Sequence, residues 1–379
     1  VTFSSSEPSV ANVDGTGLLT FSQPASGLAT ISANVNGVTD TTDVYVSSAT
    51  TPTCSSSLYT TDSNEGNSNT NPILISTEAQ FVCIGDVFGD PNNDDQVVEH
   101  FKLTQNIYAG GSGMWSNKSS TILDRLVGGS IDGGGKWVKG LTRDSPLMNY
   151  AYGGAVVKNL HLLDLTVNDH SVFLSNSLGA RAIDAEFRGN TIKGVLSHTP
   201  SSSPKQIGVF GTYAQNPAGA IAENTVDVNI NLKDNAVSPN FDSVIGGLFG
   251  SISGTSASGF AITDNVVTLN VTSEASNGIS EYSVGGIVGL LRSDHTNLNL
   301  SANTVQSLSV KDPGSVSVAG LFNILDGITC PSGANFTGNS VINFVSNVGN
   351  DTLDGTSTVR LDTGRVVLAD SDGSNNCAQ

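Results

Sequence analysis

The sequence predicts an all-β chain: a right-handed parallel β-helix preceded by a small antiparallel β-sandwich, with the handedness taken from the usual form of that fold. Three observations predict it. Of 379 residues 42 are glycine and only 13% are charged, while Ser, Thr, Asn and Asp fill long stretches, a balance that suits many short strands joined by turns. Residues 1–48 alternate apolar and polar positions in short runs broken by turn residues. Past residue 150, two motifs recur in step, the mark of a repeat architecture.

In residues 1–48 the runs are Val10-Ala11-Asn12-Val13, Leu18-Leu19-Thr20-Phe21, Ala29 to Val35 and Val44-Tyr45-Val46. Asn36-Gly37 between two of them signals a hairpin, because both central residues of a tight turn must tolerate positive φ. Ser4 to Asp14 (SSSEPSVANVD), then Gly17-Leu18-Leu19-Thr20, then Gly27 to Ala33 (GLATISA), resemble the second half of a bacterial immunoglobulin-like domain of group 2. That family runs close to SSSNPSVATVD, GLVTA and GTATITA. The resemblance implies a stalk module over 1–48, incomplete at its N-terminal side since the strands that precede the SSS segment are missing. The chain opens on Val1 and reads as a mature fragment or an excised region.

Residues 49–99 read as a linker and N-terminal cap, 100–345 as the β-helix and 346–379 as a C-terminal cap. Four cysteines, Cys54, Cys83, Cys330 and Cys377, form no CxxC pair, and the five histidines show no HxxxH spacing, so zinc is unsupported. Two disulfides in an oxidising compartment are expected. Three connectivities are open, and order along the chain favours Cys54–Cys83 and Cys330–Cys377.

One repeated motif is a glycine-flanked apolar patch: Ile207 to Gly211, Ile245 to Gly250, Val284 to Gly289 and Val318 to Phe322. The other is an Asn followed by an alternating strand, at Asn190, Asn224, Asn265, Asn303 and Asn339. Successive Asn lie 34, 41, 38 and 36 residues apart and successive patches (Gly208, Gly247, Gly286, Gly320) 39, 39 and 34. Taken as alternating flavours, the two motifs predict rungs of about 17 to 23 residues, each too short to bury its own apolar face. Val226, Val228 and Ile230 are expected to point inward, with Ile192, Val267, Leu269 and Val271 in neighbouring rungs. The five Asn would stack as a ladder, and the glycines would allow positive-φ turns and leave room for the next rung.

The GGLFG patches resemble the GLUG repeats of bacterial surface proteins. Phe101 to Ile107, Ile131 to Leu141 and Val157 to Leu162 are similar to the opening rungs of pectin-lyase-like β-helices. That likeness implies the fold over about 100 to 345 and raises the question of polysaccharide cleavage. Hydrolysis needs two carboxylates about 5 to 10 Å apart. The strings that carry polygalacturonase catalysis are absent; Asp94-Asp95 is the one adjacent acidic pair, and Asp132 suits a turn. Arg143, Arg181, Arg188 and Lys193 are lyase candidates by residue type alone. The expectation is therefore a chain that is not an enzyme, with a polysaccharide lyase or hydrolase as the alternative.

Asp90, Asn92 and Asp94 have the spacing of a calcium loop at positions one, three and five, without the Gly at six or the Glu at twelve; an Asx-rich turn is the competing reading. No other cofactor is implied. Trp137, flanked by Lys136 and Lys139, with Tyr150 and Tyr152 behind it and Trp115 before it, forms the densest aromatic group and the candidate ligand site, since aromatic faces stack on sugar rings; the competing reading is a hydrophobic cap. A net charge of −18 disfavours nucleic acid and anionic membranes, and no apolar run approaches a membrane span.

The order of modules resembles the intimin and invasin family of surface adhesins, whose tips also end in a disulfide near the last residue. It implies an extracellular, monomeric tip that binds a host glycan or protein receptor. Those family members carry a lectin-like tip and not a β-helix, so no receptor-binding residue transfers. A structural biofilm or surface-layer protein is the remaining alternative.

Overall fold

The computed structural model describes residues 1–21, 27–46, 53–59, 65–90, 95–109, 121–174, 184–199, 206–215, 217–233, 243–253, 259–273, 282–291, 297–312, 316–324 and 335–348. The first five strands form the N-terminal unit: β1 (Thr2–Ser5), β2 (Ala11–Val13), β3 (Leu19–Phe21), β4 (Gly27–Val35) and β5 (Val38–Val46). The antiparallel sheet β1-β4-β5 and the hairpin β2-β3 face a small core of Ala11, Ala29, Ile31 and Val46. Asn36 and Gly37 take φ of 51° and 86°, the backbone of a tight hairpin turn between β4 and β5.

Next come a 3-10 turn (Ser56–Leu58), β6 (Ile73–Ile75) and two short helices, α1 (Glu78–Val82) and α2 (Ile84–Phe88). Eight coils follow, each running over a third, a first and a second face in that order. Coil one is β7 (Gln96–Val97), β8 (His100–Leu103) and β9 (Ile107–Tyr108). Coil two is β10 (Leu123–Val127), β11 (Ser130–Asp132) and β12 (Trp137–Lys139), extended by β13 (Thr142–Arg143). Coil three is β14 (Met148–Tyr152), β15 (Ala155–Lys158) and β16 (His161–Asn168); coil four is Leu174, β17 (Asp184–Arg188) and β18 (Thr191–His198).

Coils five to seven each begin with an extra outer strand: β19 (Gln206–Ile207), β20 (Gly211–Gln215), β21 (Ala218–Ala222), β22 (Thr225–Leu232); β23 (Ser243–Gly246), β24 (Phe249–Ser253), β25 (Phe260–Thr263), β26 (Val266–Ser273); β27 (Tyr282–Gly285), β28 (Val288–Leu291), β29 (Leu298–Ser301), β30 (Thr304–Asp312). Coil eight is β31 (Val316–Ala319), β32 (Phe322–Ile324), a bridge at Asn335, and β33 (Ser340–Val348).

Within the helix every strand pairs in parallel with its counterpart one coil away, which defines a parallel β-helix. The first face joins β6 through β29 and the second β9 through β33. Alternation turns one side of each strand inward, so like residues stack: Phe101, Ile131, Val157, Phe187, Ile221, Ile262 and Leu300 on the first face, and Ile192, Val226, Val267 and Val305 on the second. All are buried.

One sequence expectation is corrected here. The rung is not 17 to 23 residues of alternating flavour; each later coil contains both motifs. Ile245 of one patch pairs with Val284 of the next, 39 residues on, and the same two coils pair Val267 with Val305. Three faces are needed to enclose the core, and a half-period piece closes nothing.

The patch glycines meet the expectation of room for the next coil, with a Cβ on Gly247 or Gly286 falling 2.2 Å from the carbonyl oxygen of Gly286 or Gly320, but not the expectation of positive φ. Gly208, Gly246, Gly250 and Gly285 are absent from the positive-φ positions. The outer sheet β19-β23-β27-β31 instead lies on the third-face sheet β20-β24-β28-β32 with backbone against backbone. A Cβ on Gly246 would sit 1.8 Å from the Phe249 carbonyl oxygen, one on Gly285 1.9 Å from that of Val288, and one on Gly250 2.7 Å from the Ile207 backbone nitrogen. Only glycine permits that approach.

The corner between the first and second faces repeats a two-residue device: a left-handed residue and then an inward Asn. Gly189, Glu223, Asp264, Ala302 and Gly338, with φ between 57° and 71°, precede Asn190, Asn224, Asn265, Asn303 and Asn339. Each Nδ2 up to Asn303 donates to the Oδ1 of the next Asn at 2.9–3.0 Å. The same Oδ1 accepts the backbone N–H of the preceding Asn at 3.0–3.1 Å. The second Nδ2 hydrogen goes to a backbone carbonyl, such as Val157, Phe187, Ile221 or Ile262. The amides from Asn190 to Asn303 are thus saturated although buried, the condition under which burial of a polar group stabilises.

The start of the solenoid is plugged by α1 and α2. Thr77 and Gln80 form a reciprocal cap at the α1 N-terminus. The Cys54–Cys83 disulfide, with Cα atoms 5.3 Å apart, ties the 3-10 turn to the α1–α2 junction, and Tyr59, Phe88 and Phe101 continue that contact into the core at 4.8 and 5.3 Å between rings. Cys330 and Cys377 lie outside the described residues.

Two outcomes follow for stability. Asn265→Ala removes five hydrogen bonds and strands the buried N–H and one Nδ2 hydrogen of Asn224, a cost of about 3 kcal/mol or more; Asn339→Ala, at the partly buried end of the ladder, costs less. Urea denaturation of both variants reads the order. Ala302→Gly relieves a left-handed alanine at φ 57° and raises Tm by about 1–3 °C, the equivalent of about 1 kcal/mol in a chain of this size; a fall in Tm contradicts the reading.

Candidate functional site

The aromatic group expected around Trp137 is divided between faces. Trp137 lies on β12 of the second face, where its backbone N–H donates to Asn106 Oδ1 at 3.2 Å. Its ring meets the edge of Tyr45 of β5 at 5.4 Å, and Tyr45 stacks on Tyr108 of β9 at 4.6 Å. Tyr150 and Tyr152 lie on β14 of the third face, a coil later. A coil corner separates residues that are near in sequence, so the four do not form one site; Trp115 lies outside the described residues.

Tyr150 instead belongs to a cluster spanning β10 and β14. Pairing places Arg125 beside Tyr150, and the guanidinium carbon sits 5.4 Å from the ring centroid. Arg125 Nε also binds Asp124 Oδ2 at 3.2 Å, and Asn149 Nδ2 donates to Asp124 Oδ1. The Asp124 and Arg125 side chains keep 30% and 15% of their exposure, so the cluster is held in place yet reaches solvent. The outer sheet begins at β19 and pairs no strand of the first three coils, which leaves β7, β10 and β14 as the open stretch of the third face among the described residues. A carboxylate, a carboxamide, a guanidinium and a phenol ring on one rigid surface are the groups that bind hydroxyl-rich or planar ligands. Asp124, Arg125 and Asn149 were missed in the sequence; the available signal was the 25-residue offset from Arg125 to Tyr150, which only the register interprets.

The lyase candidates have other partners. Arg143 is 2% exposed on the inward column with Val167, donates to the Ser145 carbonyl and Oγ at 3.2 and 2.6 Å, and has its pKa pulled down to about 10 by burial; it cannot reach an external substrate. Arg188 pairs with Glu186 and Glu223, and Lys193 with Asp227. Arg181 is outside the described residues. Asp132 accepts the Gly134 N–H at 2.9 Å within a turn and pairs with Lys158 at 3.5 Å.

Asp90 closes the connection from α2 to β7 through its backbone: its N–H donates to the Gln96 carbonyl at 3.1 Å and its carbonyl accepts from the Asp95 N–H at 2.9 Å. Asn92 and Asp94 are outside the described residues. The three-residue group Cys54, Cys83 and Asp86 has its sulfurs in the disulfide and presents no thiolate to a metal.

His100 and Ser130 are adjacent on the first face, with Nδ1 and Oγ 2.8 Å apart. Burial of the ring pulls the His100 pKa below its usual value, and Glu99 opposes this.

No protein-family model and no curated protein matches the chain. Solved structures do align with it. One, named IgA1 Protease, is 16% identical with a TM-score of 0.46 over 86% of this chain and 24% of its own length. Another, a putative immunoglobulin A1 protease from Bacteroides ovatus, is 13% identical with a TM-score of 0.40 over 73% of this chain and 86% of its own. The chain spans 24% of the first of these. The β-helix rests on the strand register above and not on these likenesses. They correct one expectation: the chain was read as not an enzyme because polygalacturonase strings are missing, yet both aligned structures are named as proteases, which are enzymes. Missing strings of one hydrolase family test for that family alone. The group 2 immunoglobulin-like and intimin likenesses have no support beyond the residues quoted for them.

The shift at His100 has a sign. Because its folded pKa lies below the unfolded value of 6.5, its contribution to stability is complete above 6.5 and is lost as pH falls through the window beneath it. His100→Gln is expected to lose less Tm than the parent between pH 7.5 and 5; equal losses would refute the assignment.

Proposed function

We propose that the chain is the ligand-binding part of a bacterial surface or secreted protein, an adhesin whose β-helix presents the open third face of its first three coils to a glycan or protein receptor. The observation that carries this reading is the Asp124–Arg125–Asn149–Tyr150 cluster on the stretch that the outer sheet leaves uncovered. Guanidinium and carboxylate are already matched there, so the cluster suits a hydroxyl-bearing ligand over a strongly charged one. The Cys54–Cys83 disulfide supports an oxidising, extracellular setting, and the net charge of −18 disfavours nucleic acid as partner.

The test is a glycan array, with a parallel panel of extracellular proteins, probed with the full chain in calcium and in chelator. Tyr150→Ala is expected to weaken selective binding tenfold or more while circular dichroism stays unchanged. Undiminished binding by the variant would remove this face as the site. The captured ligand is then followed for cleavage, since turnover would make the same face a catalytic one.

A further inference from the structure

We infer that the N-terminal sandwich is the edge cap of the second-face sheet, docked on the β-helix as one rigid body through Tyr45. Three observations carry it. The second-face sheet begins at β9, whose outer edge has no further strand of that sheet beside it among the described residues. β4 of the sandwich lies close to β9. Tyr45, on the last turn of chain in β5, lies against two coils at once, stacked at 28° on Tyr108 of β9 and edge-on at 69° to Trp137 of β12.

The chemistry of the contact is that of a packed joint. Tyr45 loses part of its solvent shell there, and Lys139, on β12 with Trp137, is held by Asp164 at 3.2 Å with its charge in electrostatic reach of the Tyr45 and Tyr108 hydroxyls. An aromatic held between two rings fixes both the separation and the tilt of the elements that carry them. An open strand at the start of a long parallel sheet is a template for pairing with another chain, and solenoids cover such ends. The sandwich covers the start of the second face just as α1 and α2 plug the core beside it. A stalk joined by a free hinge would leave β9 open and Trp137 bare.

Hydrogen exchange on the full chain, with Trp137 emission recorded in a Trp115→Phe background, tests the joint. Tyr45→Ala is expected to speed exchange at Ile107 and Tyr108 at least tenfold and to red-shift Trp137, while β4 and β5 stay protected; Tyr45→Phe keeps the parent values. If Tyr45→Ala also loosens β4 and β5, Tyr108→Ala reads the docking from the helix side, with the sandwich intact. Parent-like exchange at β9 and parent-like emission in both alanine variants would overturn the inference.

Discussion

The asparagine ladder is the constraint on which the register of the later coils depends. Apolar stacking holds coils together without direction, and a slip of two residues would preserve the alternation of inward and outward side chains. Such a slip would not preserve the amides. Each buried carboxamide from Asn190 to Asn303 spends both hydrogens and its oxygen on partners in the adjacent coils, so misregistered coils would bury orphaned donors. The left-handed residue before each Asn turns the chain so that the amide points inward, and at Glu223 and Ala302 that turn is made without glycine.

From this registered scaffold the distribution of accessible surface follows. Glycine-mediated contact seals the third face of the later coils under an outer sheet and leaves no space for a side chain, let alone a ligand, between the layers. Among the described residues the first three coils have no such cover. Their third face exposes the polar cluster around Tyr150, while the start of their second face meets the sandwich. Position along the solenoid, more than residue type, separates surface that can recognise a partner from surface that cannot.

The scaffold was legible in the sequence because stacking demands recurrence: the same Asn and the same patch must return once per coil, and the inward valines follow from the strand period. The length of a coil was misread because two motifs spaced almost half a period apart look like two rungs. For the patch glycines the room left for the next coil was legible, whereas the ordinary φ and the contact with an outer sheet were not, a distinction that a string of letters does not carry. Trp137 and Tyr150 look like neighbours in the sequence and are divided by a corner, whereas Arg125 and Tyr150 look remote and touch. Recurrence reveals a scaffold; a site that occurs once becomes visible only when the register is known.

The ladder also has a polarity. Every bridging amide from Asn190 to Asn303 points its N–H toward the later coil and its oxygen toward the earlier one, where the Leu160 N–H meets the oxygen of Asn190 at 3.0 Å. Dipoles aligned head to tail polarise one another, so each bond strengthens the next. The column therefore behaves as one electrical object and not as five separate residues. Cutting it in the middle leaves two shorter, weaker dipole chains, and a second cut beside the first removes less than the first did, because the bond between them is already gone.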